Sequence, residues 1–370
     1  MKVIGLIVEY NPFHNGHIHH INEAKRLSGA DCCVVVMSSS FTMRGDISCI
    51  DKFNKTKIAL NYDIDLVIEL PFIYAVENAD IFAYNAIYIL NKLKVDEIYF
   101  GSENNSLEKL KKMALLLDSS SFNSTLQKYL HLSYPKANSL ALEEFGFSDI
   151  SSNDMLGIQY IRAINKLGSK IQPFCIKRIN SNYNDLVPTS ENIASATAIR
   201  NLTSIKKYVP KEVNDYYEHN SFLDNSIFFN YFKYQLIFAD LTNIKGFDDN
   251  LVGLFKNTKL ESFEDINKLV SKKYTLSRIK RLILYIIFDI KKDFKYKNPN
   301  YIRILGMNDI GRKYLNTIKK ELDIPLISKV KEGICKELDL EIRISRFYSL
   351  VSNKNIHKKE FEKIIMSPLE

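Results

Sequence analysis

The chain has 370 residues, enough for two domains with separate cores, and its 46% hydrophobic and 25% charged residues are those of a globular protein. The longest strongly apolar run, Leu282 to Phe288, is too short to cross a bilayer, and Glu9 interrupts the N-terminal apolar run too early for a signal peptide, so a cytoplasmic protein without a membrane partner is expected. Five cysteines without a C-x-x-C spacing indicate neither a disulfide framework nor a zinc site, and the net charge of +8 is uneven, with −1 over residues 1–200 and +9 over residues 201–370.

Val3 to Val8 reads as a buried strand that breaks at Asn11-Pro12. A helix follows from His17 to Leu27, with Ile18, Ile21, Ala24 and Leu27 near one face and Gly29 closing it. The break holds His14-x-Gly16-His17, and four of the seven histidines fall between residues 14 and 20. A strand, a tight turn and a helix start form the geometry that holds a nucleotide's phosphates. Two imidazoles there can hydrogen-bond a phosphate oxygen as charge builds on it, and Gly16 lets a flat base or ribose lie against the backbone. The tetrad also occurs by chance, so its position directly after the first strand is what gives it weight.

Cys32 to Met37 is a continuous apolar run typical of a buried parallel strand, followed by a polar loop from Ser38 to Asp46. The pattern then predicts a helix over Asp51–Tyr62, a strand over Leu66–Leu70 ended by Pro71, a helix over Ala79–Leu93 and a strand over Glu97–Phe100. This alternation predicts an α/β fold, a Rossmann-like domain with a doubly wound parallel sheet. Ligands in such sheets sit beyond the carboxyl ends of the strands, where Glu9–His17, Ser38–Asp46, Glu69–Phe72 and Gly101–Glu103 lie. Residues 105–150 read as mainly helical, and a strand over Ile171–Ile176 leads into Lys177-Arg178.

Beyond Arg200 the pattern is helical, most clearly over Thr275–Ile290, where Ile279, Leu282, Ile283, Ile286 and Ile290 form an apolar stripe. Residues 268–313 hold thirteen Lys and Arg against three Asp, with Tyr274, Tyr285, Phe294, Tyr296 and Tyr301 among them. Bases stack on aromatics while cations take phosphates, so this mixture suits RNA; a lysine-rich solvated face is the alternative. Lys272, Lys273, Arg278, Lys280 and Arg281, with Arg44 from the front half, are the candidate RNA contacts. The expected division is a catalytic, nucleotide-binding domain over residues 1–200 and a basic, mainly helical RNA-binding domain over 201–370.

A second signature is Ser195-Ala196-Thr197-Ala198-Ile199-Arg200, whose hydroxyls introduce a helix with a first turn able to bind phosphate. Ser195, Thr197 and Arg200, with Lys177, are candidate phosphate ligands, although Ser and Thr also cap helices that bind nothing. The H-x-G-H and S-x-T-x-I-R pair resembles the nucleotidylyltransferase superfamily, which includes adenylyltransferases and the class I aminoacyl-tRNA synthetase core.

The likeness narrows over the run from Gly5 to His17, Phe41-x-x-Arg44-Gly45, Asp65-Leu66-Val67-x-Glu69-Leu70-Pro71, Phe100-Gly101-Ser102-Glu103, Asn153-x-x-Leu156-Gly157-x-x-Tyr160 and Ile176-Lys177-Arg178. In that order these motifs resemble the bacterial tRNA(Met) cytidine acetate ligases over most of residues 1–200, and more loosely at Tyr301 to Gly306. Ser151-Ser152 stands where that family has proline and asparagine, and Tyr183-Asn184-Asp185 replaces a Tyr-His-Asp-like stretch.

The resemblance implies a two-step ligase. Acetate attacks the α-phosphate of ATP, giving acetyl-adenylate and pyrophosphate, and the wobble cytidine of elongator tRNA(Met) then takes the acetyl group to become 4-acetylcytidine. It assigns catalysis to His14 and His17. It assigns ATP binding to Ile7, Val8, Glu9, Tyr10, Asn11, Pro12, Phe13, His14, Asn15, Gly16, His17, Ile18, His19 and His20, together with Gly101, Asn153 and Arg178. His19 and His20 also fit a helix surface; Glu69 and Glu103 fit either a ribose or base contact or an ordinary loop-stabilising role. Mg²⁺ would accompany the triphosphate, but no carboxylate cluster marks a dedicated metal site. Two other readings stay open: a small-molecule adenylyltransferase, and a non-catalytic RNA-binding protein on the same fold. Nothing in the sequence sets an oligomeric state.

Overall fold

The computed structural model describes residues 1–178, 191–294 and 297–367. Five parallel strands, β1 (Val3–Val8), β2 (Cys32–Ser38), β3 (Leu66–Leu70), β4 (Glu97–Ser102) and β5 (Gln172–Lys177), lie in the order β5-β4-β1-β2-β3. Every residue of β2 and β3 is buried, as their largely apolar sequences require when both faces of a sheet are covered; the charged exception, Glu69 in β3, is buried with ion-pair partners. Successive side chains point to opposite faces, so Val34 and Val36 join one core while Cys33 and Val35 join the other.

The connections are α1 (Asn15–Ser28), α2 (Lys52–Leu60), the short α3 (Phe72–Ala75), α4 (Ala79–Lys92), α5 (Leu107–Leu117), α6 (Ser120–Gln127), α7 (Tyr134–Glu144) and α8 (Ser152–Leu167). Ile21 and Ala24 of α1, with Ile58 and Ala59 of α2, cover one face. Phe82, Ala86 and Leu90 of α4, with Ile158 and Ile161 of α8, cover the other. Helix α1 starts two residues before the expected point because its N-cap is His14, a residue type outside the usual set of capping side chains.

After α9 (Ala196–Arg200) come α10 (Lys211–Asn220), α11 (Phe229–Phe238), α12 (Asp249–Asn257) and α13 (Leu276–Ile287). The stripe on α13 is the core of this part: Ile279, Leu282, Ile283 and Ile286 are each at most 2% exposed. The chain then returns to the sheet. Strand β6 (Ile302–Met307) lies antiparallel to β3, pairing Leu66 with Met307 and Glu69 with Arg303, and β7 (Leu326–Ile327) and β8 (Ile365–Met366) pair with β6. Helices α14 (Asp309–Ile318), α15 (Lys336–Ser352) and α16 (Ile356–Lys359) complete the described elements. The division expected at residue 200 therefore does not cut the sheet away from the C-terminal half, since one sheet takes strands from both sides of that point.

A buried charge cluster explains why β6 escapes a hydrophobic reading. Arg303, in the middle of the strand, meets Glu69 at 2.9 Å across 234 residues of sequence and also pairs with Glu360. Lys52 of α2 reaches both carboxylates at 2.6 Å, and the Lys52, Glu69 and Glu360 side chains are fully buried. Glu69 is thus a structural ion-pair partner deep in the protein, and the ribose or base reading of it fails. Among the described residues no helix is long and apolar enough to cross a membrane.

Candidate active site

The strand order reverses at β1 and β4, and the cleft opens beyond their carboxyl ends. Three contacts hold the chain leaving β1. Lys55, 1% exposed, donates from Nζ to the carbonyls of Glu9 (3.0 Å), Ser38 (2.7 Å) and Ser39 (3.0 Å), and burial pushes its ammonium down to about 8. The Asn11 side chain accepts from the Cys49 N–H at 2.7 Å. The Arg200 guanidinium donates to the Asn11 carbonyl from behind.

His14 and His17 then cap α1 with each other's help. The Gly16 N–H donates to His14 Nδ1 at 3.1 Å, and the His14 N–H donates to His17 Nδ1 at 3.2 Å, a reciprocal pair of the capping-box kind. An Nδ1 that accepts a backbone proton leaves the ring proton on Nε2. Both rings therefore offer an Nε2–H donor; they stack at 3.7 Å, and both line the cleft.

Burial, reinforced by Arg178 and Arg200, pushes His14 down to about 3. Burial does the same to His20, down to about 4 with help from Arg178, and His17 lies well below its usual value. At neutral pH all three are uncharged donors. The sign of the stability effect is fixed by this: below about pH 6.5 the unfolded chain takes up protons that the native imidazoles refuse, so stability is complete above that pH and falls as pH drops toward 3. His14 alone should lower the unfolding free energy by about 2 kcal/mol between pH 7 and pH 5. Urea titrations at the two pH values check this, and equal midpoints would contradict it.

Gly101 at the end of β4 and Arg178 just beyond β5 face each other: a Cβ on Gly101 would come within 3.1 Å of Arg178 Cγ. Glu103 ties this side together, accepting from Asn153 Nδ2 at 2.6 Å and from the Ser151 hydroxyl, and pairing with Arg178 Nε at 3.3 Å. Ser151 is also the N-cap of α8, accepting from the Asp154 N–H at 3.0 Å, so the departure at Ser151-Ser152 keeps a working helix start. Glu103 takes the loop-organising role, and Gly101, Asn153 and Arg178 all line the cleft. The departure at Tyr183-Asn184-Asp185 lies outside the described residues.

The remaining candidates divide. Lys177, Ser195, His19 and His20 line the cleft beside Ile7, Val8, Glu9, Tyr10, Asn11 and Gly16. Ser195 caps α9, its Oγ accepting from the Ala198 N–H at 3.0 Å. Thr197 and Arg200 stand behind the turn, bonded to one another at 3.4 Å. Pro12, Phe13, Asn15 and Ile18 support the turn from within: Phe13 is fully buried against Tyr10 and Tyr62, and Asn15 Nδ2 donates to the Asn192 and Lys207 carbonyls, both at 2.9 Å. The opposite wall is apolar, made by Phe82, Phe100, Leu156 and Tyr160. These four sit on ordinary core stripes, so only the packing of α4, α8 and β4 brings them to the cleft.

The basic segment meets the cleft through the loop after β2. Gly45, at φ +82°, lies against the backbone of α13, where a Cβ would come within 2.8 Å of Arg281 N. Lys280 pairs with Asp46 at 2.6 Å, and Arg281 donates to the Met43 carbonyl at 3.2 Å, so both hold the loop that carries Arg44 to the cleft. Lys272 and Lys273 are exposed, and Arg278 stacks on Tyr274 at 5.0 Å. Tyr274, Tyr285 and Tyr301 are all buried, with Tyr285 donating to the Val76 carbonyl, so they are not stacking platforms for bases; Tyr296 lies outside the described residues. Among the described residues no group of three or more His, Cys, Asp and Glu is placed to hold a metal ion.

A parallel-sheet cleft with paired neutral imidazoles on a capped helix start defines a nucleotidyltransferase, and the family described as HIGH Nucleotidyl Transferase matches residues 1–363. Within that class the chain belongs to the tRNA(Met) cytidine acetate ligases. The relative of that name from Caldicellulosiruptor saccharolyticus is 38% identical, with 97% of this chain and 96% of the relative covered. The one from Bacillus subtilis is 36% identical, with 95% and 92% covered. Crystal structures of Thermotoga maritima TmcAL, 29% identical and covered in full on both sides, superpose with TM-scores of 0.90 for the apo form and 0.87 for the form bound with alpha-thio ATP.

Proposed function

We propose that the chain binds ATP in this cleft, joins acetate to its α-phosphate, and passes the acetyl group to the wobble cytidine of elongator tRNA(Met). The observation that supports this best is the stacked His14–His17 pair, with both Nε2–H donors at the cleft. In the first step an acetate oxygen bonds to the α-phosphorus, and the bridging bond to the β-phosphate breaks with its electron pair leaving on pyrophosphate. The two Nε2–H groups meet the negative charge that builds during this displacement, and being uncharged they act as fixed donors rather than acids. Lys177 and Arg178 bring positive charge to the triphosphate from the β5 side, and Mg²⁺ would ride on the phosphates. In the second step the exocyclic amine of cytidine takes the acetyl group and AMP leaves. A tRNA substrate places the work in the cytoplasm.

Incubation with ATP, labelled acetate and total tRNA, followed by digestion of the RNA, should yield labelled 4-acetylcytidine. Acetate-independent pyrophosphate exchange on a metabolite would favour the small-molecule adenylyltransferase instead, and RNA binding without ATP turnover would favour the non-catalytic reading. The exposed Lys272 and Lys273 and the half-exposed Arg278 are proposed to take tRNA phosphates. Replacing both lysines by alanine should weaken tRNA binding and flatten the slope of log K against log salt by about 1.5. An unchanged slope would mean that the lysines are only solvated.

A further inference from the structure

Among the described residues Glu9 is the sole carboxylate lining the cleft. Its companions there include Arg44, Lys177, Arg178 and the histidines, a lining suited to a polyanion. A negative side chain in such a place opposes triphosphate binding, so its presence calls for a partner of another kind: an N–H donor. Its geometry is set for one. Glu9 Oε1 accepts the Met43 N–H at 2.7 Å, which holds the carboxylate still. Among the described residues no other hydrogen bond to the Glu9 side chain is seen, and Glu9 lines the cleft.

We propose that Glu9 is the proton acceptor for the exocyclic amine that receives the acetyl group, an assignment that rests on the ligase reading above. The amine's electron pair forms the N–C bond to the acetyl carbonyl carbon, the C–O bond to the phosphate breaks with its pair leaving on AMP, and the amine proton passes to Glu9 Oε2. An amine conjugated to a nucleobase is a weak nucleophile, so removing its proton as the bond forms lowers the barrier.

The other bases nearby are occupied or too weak. His14 and His17 use Nδ1 for backbone protons and resist protonation. Glu103 is bound by Ser151, Asn153 and Arg178, and Asp46 by Lys280. The charged and titratable groups acting on Glu9 are Arg44 and Lys55, which favour its ionised form, Asp46, which opposes it, and Tyr160 from the α8 wall. Burial outweighs the two cations and raises Glu9 above an ordinary glutamate, which makes it a stronger base.

The test separates the half-reactions. Glu9→Gln keeps an amide oxygen for the Met43 N–H, so the loop is retained. Single-turnover transfer from synthetic acetyl-adenylate to tRNA should fall by about 100-fold or more. Glu9 also lines the nucleotide cleft, so acetate-dependent ATP–pyrophosphate exchange should fall too, but by at least about 10-fold less than transfer, because the first step has no proton to remove. The unaltered chain's transfer rate should rise with pH as one group ionises, and that rise should vanish in Glu9→Gln while Glu9→Asp keeps it at a lower rate. Equal losses in both half-reactions, unimpaired transfer, or a pH profile that survives in Glu9→Gln would each overturn the proposal. No acetate-dependent exchange by the unaltered chain would overturn the ligase reading itself, and this proposal with it.

Discussion

Replacing His17 by alanine is expected to lower acetate-dependent ATP–pyrophosphate exchange by about 10²–10³-fold, the usual effect of losing one preorganised donor to a developing oxyanion. The ring has three roles that the substitution removes together. It supplies an Nε2–H at the cleft, it accepts the His14 N–H at 3.2 Å through Nδ1, and it stacks on His14 at 3.7 Å. Losing the cap costs about 1 kcal/mol of stability, too little to unfold a chain whose turn is also held by Lys55, Asn11 and Arg200. tRNA binding should therefore survive, as a filter-binding titration beside the exchange assay would register. Loss of both would assign His17 to folding instead.

The second large effect is on stability. Lys52→Met should destabilise the protein by about 3–5 kcal/mol, because it leaves Glu69 and Glu360 buried with one cation where there were two. The cluster is balanced in the intact protein: Lys52 and Arg303 face Glu69 and Glu360. Burial and the Glu69 charge hold the adjacent Glu341 well above the usual carboxylate range, which favours its neutral form. Removal of one cation breaks a contact joining α2, β3, β6 and the segment after α16, which makes the loss global. The exposed Lys128–Glu144 pair is the comparison: Lys128→Met should leave the urea midpoint nearly unchanged. Urea denaturation of both variants measures the difference, and similar midpoints would mean that the buried carboxylates find other compensation.

Local chemistry carried much of this protein. The unbroken apolar run at Cys32–Met37 and the mostly apolar Leu66–Leu70 read as strands covered on both faces, and the turn between β1 and α1 is marked by glycine and clustered histidine. Those signals are short in range, so they are written in consecutive residues. Ordered motifs then extend the reading to Gly101, Asn153, Arg178 and Ser195, all of which line one cleft.

Other features have no local signature. A helix cap made of two imidazoles follows no propensity rule, so the sequence pattern starts α1 two residues late. Strand β6 is hidden because its central Arg303 is neutralised by a glutamate 234 residues away. The basic stretch looks uniform in sequence, yet packing turns Lys280 and Arg281 toward the loop at the cleft and buries Tyr274, Tyr285 and Tyr301. Short-range patterns were enough for the parallel sheet, the histidine-bearing turn after its first strand and the family. Which charges meet, which aromatics are covered and which carboxylate among the described residues faces the cleft were settled only by folding, because each depends on contacts between residues far apart in the chain.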